Sequence, residues 1–401
     1  MSEKIKMVIV QMKQMKKTVF LLFIVLIALP ASAQTFQKFI QYLDGLPQNE
    51  RQAKVDRFIG AIRTYPYIEA DTICHFIYQG DATSVKVAGD FTDWQPTTSM
   101  THIPGTNFWY STITFEPDAR LDYKFVINTT DWILDPANPK TCLGGFGPNS
   151  ELRMPAYHTP PENEYYPGIQ HGTMWDSVFY SKSLGDSRTV KVYLPPGYGH
   201  HAEVYPVILF HDGQDYISFG AINNILDYLI AQHQIAEVIA IFVPPVNREP
   251  EYIGKKIDAY CSFIAGELMT EIDRKFTTSK DPHQRAVGGV SNGGNISLYL
   301  GLKHPEVFGK ILAQSSSIFP FVMNGFKKSS KLDIQFYIDI GKYDISVLIP
   351  LAKELKQILE NKNYVFQHKE WHEGHSWGNW KAHLSLPLKQ FFPYSKKTNI
   401  H

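Results

Sequence analysis

Net charge is what this chain of 401 residues lacks, since Lys plus Arg and Asp plus Glu each number 39. A zero balance gives no field that would draw it toward nucleic acid, so no nucleic-acid partner is expected. Cysteine is scarce, with three residues, so the fold cannot rest on a disulfide framework. Cys74 and Cys142 fall in one stretch and allow a single bridge, whereas Cys261 reads as a small buried hydrophobe. Long apolar runs are missing too. The run from Val19 to Pro30 is shorter than the roughly 20 residues a membrane span needs. It follows Lys13, Lys16 and Lys17 and precedes Ala31-Ser32-Ala33, the order of a secretory signal peptide. Residues 1–33 are therefore expected to be removed, leaving an exported chain, periplasmic or extracellular, without a stable membrane anchor. Gln34 follows the cleavage site where a lipoprotein would carry cysteine, and no internal repeat or low-complexity tract is found.

Core material is ample, with 44% hydrophobic and 19% charged residues. The length fits one α/β domain of ordinary size plus an appendage. Residues 34–70 show two amphipathic helical patterns, Phe36, Phe39, Ile40, Leu43 and then Val55, Phe58, Ile59, Ile62. Residues 71–157 change to short alternating strands with turn signals, the texture of a small β-sandwich. Trp94, Trp109 and Trp132 within it fit a sandwich core, as aromatics in strands usually do. Residues 158–172 are rich in proline and read as a linker. From 173 to 401, apolar runs such as Tyr205–Phe210, Val238–Val243 and Lys310–Gln314 alternate with helical stretches. That alternation implies a mostly parallel sheet with helices on both faces.

The stretch that carries chemistry is Gly289-Val290-Ser291-Asn292-Gly293-Gly294, between a strand-like run and a helical pattern. A serine on a tight strand-to-helix turn needs small neighbours, which Gly289 and Gly293 supply. Free N–H groups at the helix start, Asn292 first, can hold negative charge on a substrate oxygen. A serine hydroxyl attacks once a base takes its proton, and that histidine needs an acid to orient it. The chain order serine, acid, histidine on successive strand-end loops selects Asp344 and His375. Their rivals are Asp339, which precedes its strand end, and His372, which lies closer to its strand than His375 beside Gly374. His372, Glu373 and His375 do not fit the helical spacing of a metal site, so neither metal nor cofactor is expected. The second oxyanion donor falls in His211-Asp212-Gly213-Gln214-Asp215-Tyr216, at the N–H of Gln214 or of Gly213.

Five stretches in this order carry a family resemblance: His211 to Tyr216, Arg248-Glu249-Pro250-Glu251-Tyr252, Gly289 to Gly294, Gly341-Lys342-Tyr343-Asp344, and Gly374-His375-Ser376-Trp377 with Trp380. They resemble the esterase family that includes enterochelin esterases, esterase D-like enzymes, and the feruloyl and acetyl-xylan esterases of plant cell-wall degradation. The resemblance implies an α/β-hydrolase fold preceded by the sandwich, and the triad Ser291, Asp344 and His375. It also implies Arg248, Glu251 and Trp377 beside the substrate, although Arg248 and Glu251 read equally as a salt-bridged pair holding their loop. Val87 to Trp94, with Gly105 to Trp109, Tyr123-Lys124-Phe125 and Trp132 to Pro136, is similar to immunoglobulin-like modules related to glycogen-binding domains. That resemblance implies carbohydrate contact through an exposed indole, or, as favoured for a module fused to a hydrolase, a structural or active-site-bordering role.

Together these imply an exported serine carboxylic-ester hydrolase acting on feruloyl or acetyl esters linked to plant polysaccharide. A siderophore triester is the alternative. It is anionic and calls for a basic pocket, for which the loops offer Arg248, Lys342 and Lys381. A third reading is a non-catalytic glycan-binding protein on a hydrolase scaffold, which the filled triad positions disfavour.

Overall fold

The computed structural model describes residues 35–199 and 204–395; the expected signal peptide lies outside the described residues. Two compact units divide the chain, one reaching to Ala61 and including Ile103–Thr106, the other of Ile62–His102 and Asn107 onward. In the first, Thr35 starts the helix Phe36–Asp44, its hydroxyl accepting from the Lys38 N–H at 3.3 Å. A second helix, Gln48–Ala61, brings Phe58 onto Phe39 with ring centroids 4.0 Å apart. Arg51 donates to the carbonyls of Leu46 and Pro104 at 3.0 and 3.2 Å, closing the turn between the helices.

The second unit opens with a sandwich. Its strands in chain order are β1 (Tyr67–Glu69), β2 (Ile73–Gln79), β3 (Val85–Gly89), β4 (Thr98–Ser99) and β5 (Thr101–His102). Then come β6 (Phe108–Thr114), β7 (Arg120–Ile127), β8 (Asp131–Ile133), β9 (Thr141–Gly144) and β10 (Gly147–Arg153). One antiparallel sheet runs β1-β2-β6-β5, and the other is built around β7, which pairs with β3, β8 and β10. Alternating inward side chains such as Phe76, Val87, Leu121, Tyr123, Phe125 and Leu152 fill the core between them. The helical reading of residues 34–70 overreaches at its end, where Tyr67–Glu69 pairs as β1 along β2. Cys74 and Cys142 are free and buried, one in β2 and one in β9 of the opposite sheet, so the bridge that the sequence allows is not made. Trp109 is buried, Trp94 is half-buried with its indole N–H on Asp90, and Trp132 is exposed.

The proline-rich stretch after the sandwich is tied at its end by His171 and the Gly172 N–H, each 2.8 Å from the Asp227 carboxylate. Eight strands follow: β11 (Thr173–Ser181), β12 (Asp186–Leu194), β13 (Val207–His211), β14 (Ile239–Val243), β15 (Arg285–Val290), β16 (Lys310–Gln314), β17 (Gln335–Tyr343) and β18 (Val365–Gly374). Their order is β11-β12-β14-β13-β15-β16-β17-β18. The pairs β11–β12 and β12–β14 are antiparallel and the others parallel, as in the α/β-hydrolase fold. Along β13, Val207 and Leu209 face one buried cluster while Ile208 and Phe210 face another, the alternation that a sheet covered on both sides requires. The helix Asn292–Lys303 packs into the first cluster and the helix Ile222–Ala231 into the second. One parallel bridge, Glu373 with Arg120, then joins β18 to β7 of the sandwich. The carboxyl ends of β13, β15, β17 and β18, where such sheets bind ligands, therefore lie beside the sandwich rather than in open solvent.

Candidate active site

Ser291 follows β15 and precedes the helix Asn292–Lys303 with φ 55° and ψ −123°, a strained conformation for a residue with a side chain. The glycines around it are there because nothing larger fits. A Cβ on Gly289 would stand 2.3 Å from the Gly293 carbonyl carbon, and one on Gly294 would stand 2.0 Å from Ser316 Oγ. The turn is held by its own backbone: the Ser291 N–H donates to Gln314 O at 3.0 Å, and the Ser291 carbonyl accepts from Gly294 and Ser317. Ser317 Oγ lies 3.5 Å from Ser291 Oγ, a neighbour that the sequence pattern does not reveal.

His375 Nδ1 stands 2.7 Å from Asp344 Oδ1. Asp344 is buried and also accepts from the Ile345 N–H at 2.8 Å and the Gly341 N–H at 3.4 Å, which fix its carboxylate in the loop. Trp380 sets its plane at 90° to the imidazole with centroids 4.9 Å apart, fixing the ring from the side. The two rivals are placed elsewhere. Asp339 accepts from Gln314 Nε2 at 3.1 Å and Trp371 Nε1 at 3.4 Å, and burial pushes its pKa up to about 6. His372 meets Asp118 of the sandwich at 2.6 Å. Among the described residues no group of three or more His, Cys, Asp or Glu is placed to hold a metal ion.

Opposite the elbow, β13 ends at His211 and the chain turns through Asp212, at φ 53° and ψ 39°, into the short helix Gly213–Ser218. Gly213 presses on β14, where a Cβ would lie 2.4 Å from Val243 N. Asn292 opens one helix, and Gly213 and Gln214 open the other, so the N–H groups of all three belong to first turns without intrahelical acceptors. Asp212 holds this loop through two parallel hydrogen bonds of 2.8 Å from Arg248 Nε and Nη2. Beneath it His211 is fully buried with Nδ1 3.1 Å from the Tyr260 hydroxyl, and burial together with Arg248 pushes its pKa down to about 3, which keeps it neutral.

A pocket of about 280 Å³ opens over Ser291 and His375. Arg248 and Trp377 line it as the resemblance implies, with Trp377 edge-on to Tyr216 at 5.1 Å. Glu251 does not line it, which corrects the sequence reading. Its carboxylate is fully buried and occupied by Arg188 at 3.0 Å and by the N–H groups of Val246 and Asn247, so it holds the loop rather than a substrate. Arg248 and Glu251 are likewise not paired with each other, since each has its own partner. Lys342 and Lys381 lie outside the lining, and Lys342 is bound to Glu116. The far wall belongs to the sandwich, whose Asp122, Cys142, Leu143, Phe146 and Asn149 line the same pocket; the sequence did not single out these residues for the site. Phe146, at the tip between β9 and β10, is fully exposed among Gly144, Gly145 and Gly147.

A strained serine at a strand-to-helix elbow, a carboxylate-held histidine and two helix starts, all at the carboxyl edge of this sheet, define an α/β-hydrolase. The family model described as "Putative esterase" matches residues 181–391, and the chain belongs to that family. The uncharacterized protein YjcH of Bacillus subtilis is 30% identical over 238 residues, which cover 55% of this chain and 98% of that one. The endo-1,4-beta-xylanase/feruloyl esterase of Xylanibacter ruminicola is 32% identical over 157 residues, 36% of this chain and 22% of that much longer one. The crystal structure of ferric enterobactin esterase from Salmonella typhimurium superposes with a TM-score of 0.70 at 19% identity, over 80% of this chain and 93% of its own. At that identity the likeness speaks for the fold. Family and fold together make this chain a carboxylic-ester hydrolase.

Proposed function

We propose that the chain is a serine hydrolase, working in exported form, that removes feruloyl or acetyl groups from plant polysaccharide. The observation that carries the mechanism is the 2.7 Å contact of His375 with Asp344, in a pocket shared with the strained Ser291. Ser291 Oγ attacks the ester carbonyl while the free nitrogen of His375 takes its proton and passes it to the leaving alcohol. Asp344 keeps the other nitrogen protonated and supports the imidazolium. The carbonyl oxygen, negative in the tetrahedral intermediate, receives the N–H of Asn292 with that of Gln214 or Gly213. Water then releases the acyl group by the same route.

Two features support the substrate class. Leu143, Phe146, Trp377 and Trp380 give the pocket an apolar, aromatic lining suited to an aromatic acyl group. Its charges are the carboxylates of Asp122, Asp212 and Asp215 against the guanidinium of Arg248, already committed to Asp212. That balance disfavours an anionic siderophore. The siderophore reading has its own support in the likeness to enterobactin esterases, in fold over 80% of this chain and in sequence over 55% of it.

Release of ferulate and acetate from feruloylated and acetylated arabinoxylan, followed by mass spectrometry, tests the proposal. Ser291→Ala serves as the blank and is expected to lose turnover with its melting temperature nearly unchanged. Release of neither acid, by a protein that still cleaves a simple activated ester, would move the substrate to siderophores or another small ester. Wild-type activity in Ser291→Ala would remove the nucleophile.

A further inference from the structure

We propose that Arg120, carried by the sandwich, is a positioning residue of the hydrolase, holding the loop that presents His375. The inference rests on reading Ser291, Asp344 and His375 as the catalytic groups. Arg120 is the first residue of β7, is fully buried, and divides its guanidinium three ways. Nε donates to Glu151 at 2.6 Å and Nη2 meets Asp122 at 2.8 Å, both within the sandwich. Nη1 donates to Ser376 Oγ at 3.0 Å, across 256 positions of sequence. Two buried carboxylates thus face the guanidinium, Glu151 through a hydrogen bond and Asp122 through charge alone, and Nη1 is left for the loop. It points at the residue after His375.

The glycines of this loop show how closely the sandwich approaches. A Cβ on Gly378 would lie 1.9 Å from Arg120 Cζ, and one on Gly374 would lie 2.0 Å from Asp90 Cγ. Ser376 in turn caps the helix Trp377–His383, accepting from the Asn379 N–H at 3.5 Å, and the Arg120–Glu373 bridge fixes the strand end before the loop. The loop of the acid is gripped from the same side. Tyr343 donates to Glu116 at 2.6 Å, and the Ser346 N–H to Asp93 at 3.0 Å. Acid and histidine must keep their geometry to within about half an ångström, and a 1 Å displacement costs on the order of a hundredfold in rate. A domain that touches both loops sets that geometry, and Arg120 is where it touches the histidine's.

Ser376→Ala, Arg120→Lys and the double variant of the full chain, assayed on p-nitrophenyl acetate, test this. Each single change is expected to lower kcat by about tenfold, with KM within about twofold, because the loop shifts while the pocket remains. The double variant should be no slower than the slower single one, since both changes cut the same hydrogen bond. Labelling of Ser291 by a serine-directed phosphonate should slow in parallel. Failure of the phosphonate to label Ser291 in the unmodified protein would reject the triad reading itself. With labelling intact, variants at full kcat, or losses that add in the double, overturn the role of Arg120. If Arg120→Lys does not fold, Ser376→Thr decides: the retained hydroxyl restores kcat, and Ser376→Ala at full kcat overturns the proposal.

Discussion

Asp339 and Asp344 lie five positions apart, and their surroundings give them opposite characters. Asp344 is met by two backbone N–H groups and an imidazole, whereas Asp339 sits inside the sheet with two weaker side-chain donors and a pKa pushed up to about 6 by burial. Asp344→Asn should lower kcat on the order of a thousandfold or more, since an amide cannot hold the histidine in its working tautomer. Asp339→Asn should leave kcat within a few fold, and the reverse result would exchange the two assignments. Asp339 also carries a pH signature. A pKa raised from the ordinary carboxylate value means the folded state binds this proton more tightly than the unfolded one. Its contribution to stability therefore declines as pH rises from about 4 to about 6. Melting temperatures at pH 4.5 and 7.5 should show Asp339→Asn gaining on the unmodified protein at the higher pH. Ser291, Asp344 and His375 could be read from the sequence because each is announced by its own few neighbours. Of the two readings left open for Arg248 and Glu251, the pocket one fits Arg248 and the loop-holding one fits Glu251, but not as a mutual pair, because Asp212 and Arg188 meet them only through distant chain.

At the scale of elements, the strand-turn-helix around Ser291 and the strand ends after β17 and β18 were legible, since apolar runs and glycines repeat the local geometry. The hairpin of β9 and β10 was not. Its sequence says turn, and nothing in it says that the turn overhangs the hydrolase. Phe146→Ala should lower kcat/KM several-fold on feruloylated arabinoxylan and leave p-nitrophenyl acetate unaffected. Equal loss on both esters would assign Phe146 to stability instead. Glu116 marks the other latch. Burial works to raise its pKa, but hydrogen bonds from Lys342 and Tyr343 prevail and hold it at about 2. A depressed carboxylate contributes stability above its unfolded pKa and loses it as pH falls toward the folded value. The latch on the Asp344 loop should therefore release between about pH 4.5 and 2, and Glu116→Gln should flatten the acid-side loss of stability over that range.

For the molecule as a whole, the sequence divides naturally at the proline-rich stretch, and the structure does not. Residues on either side of it share a sheet bridge, buried charges and a pocket, and they cluster into one compact unit. Calorimetry should record a single cooperative transition for sandwich and hydrolase together. Two separated transitions, the earlier one without loss of activity, would return the sandwich to the status of an appendage. The contact of Arg120 with Ser376 also has a consequence for how the protein comes into being. Arg120 and Ser376 stand 256 positions apart, so translation delivers the sandwich's half of the contact long before the loop's half. The histidine loop therefore finds its anchor only when both segments have been made and fold together as one unit.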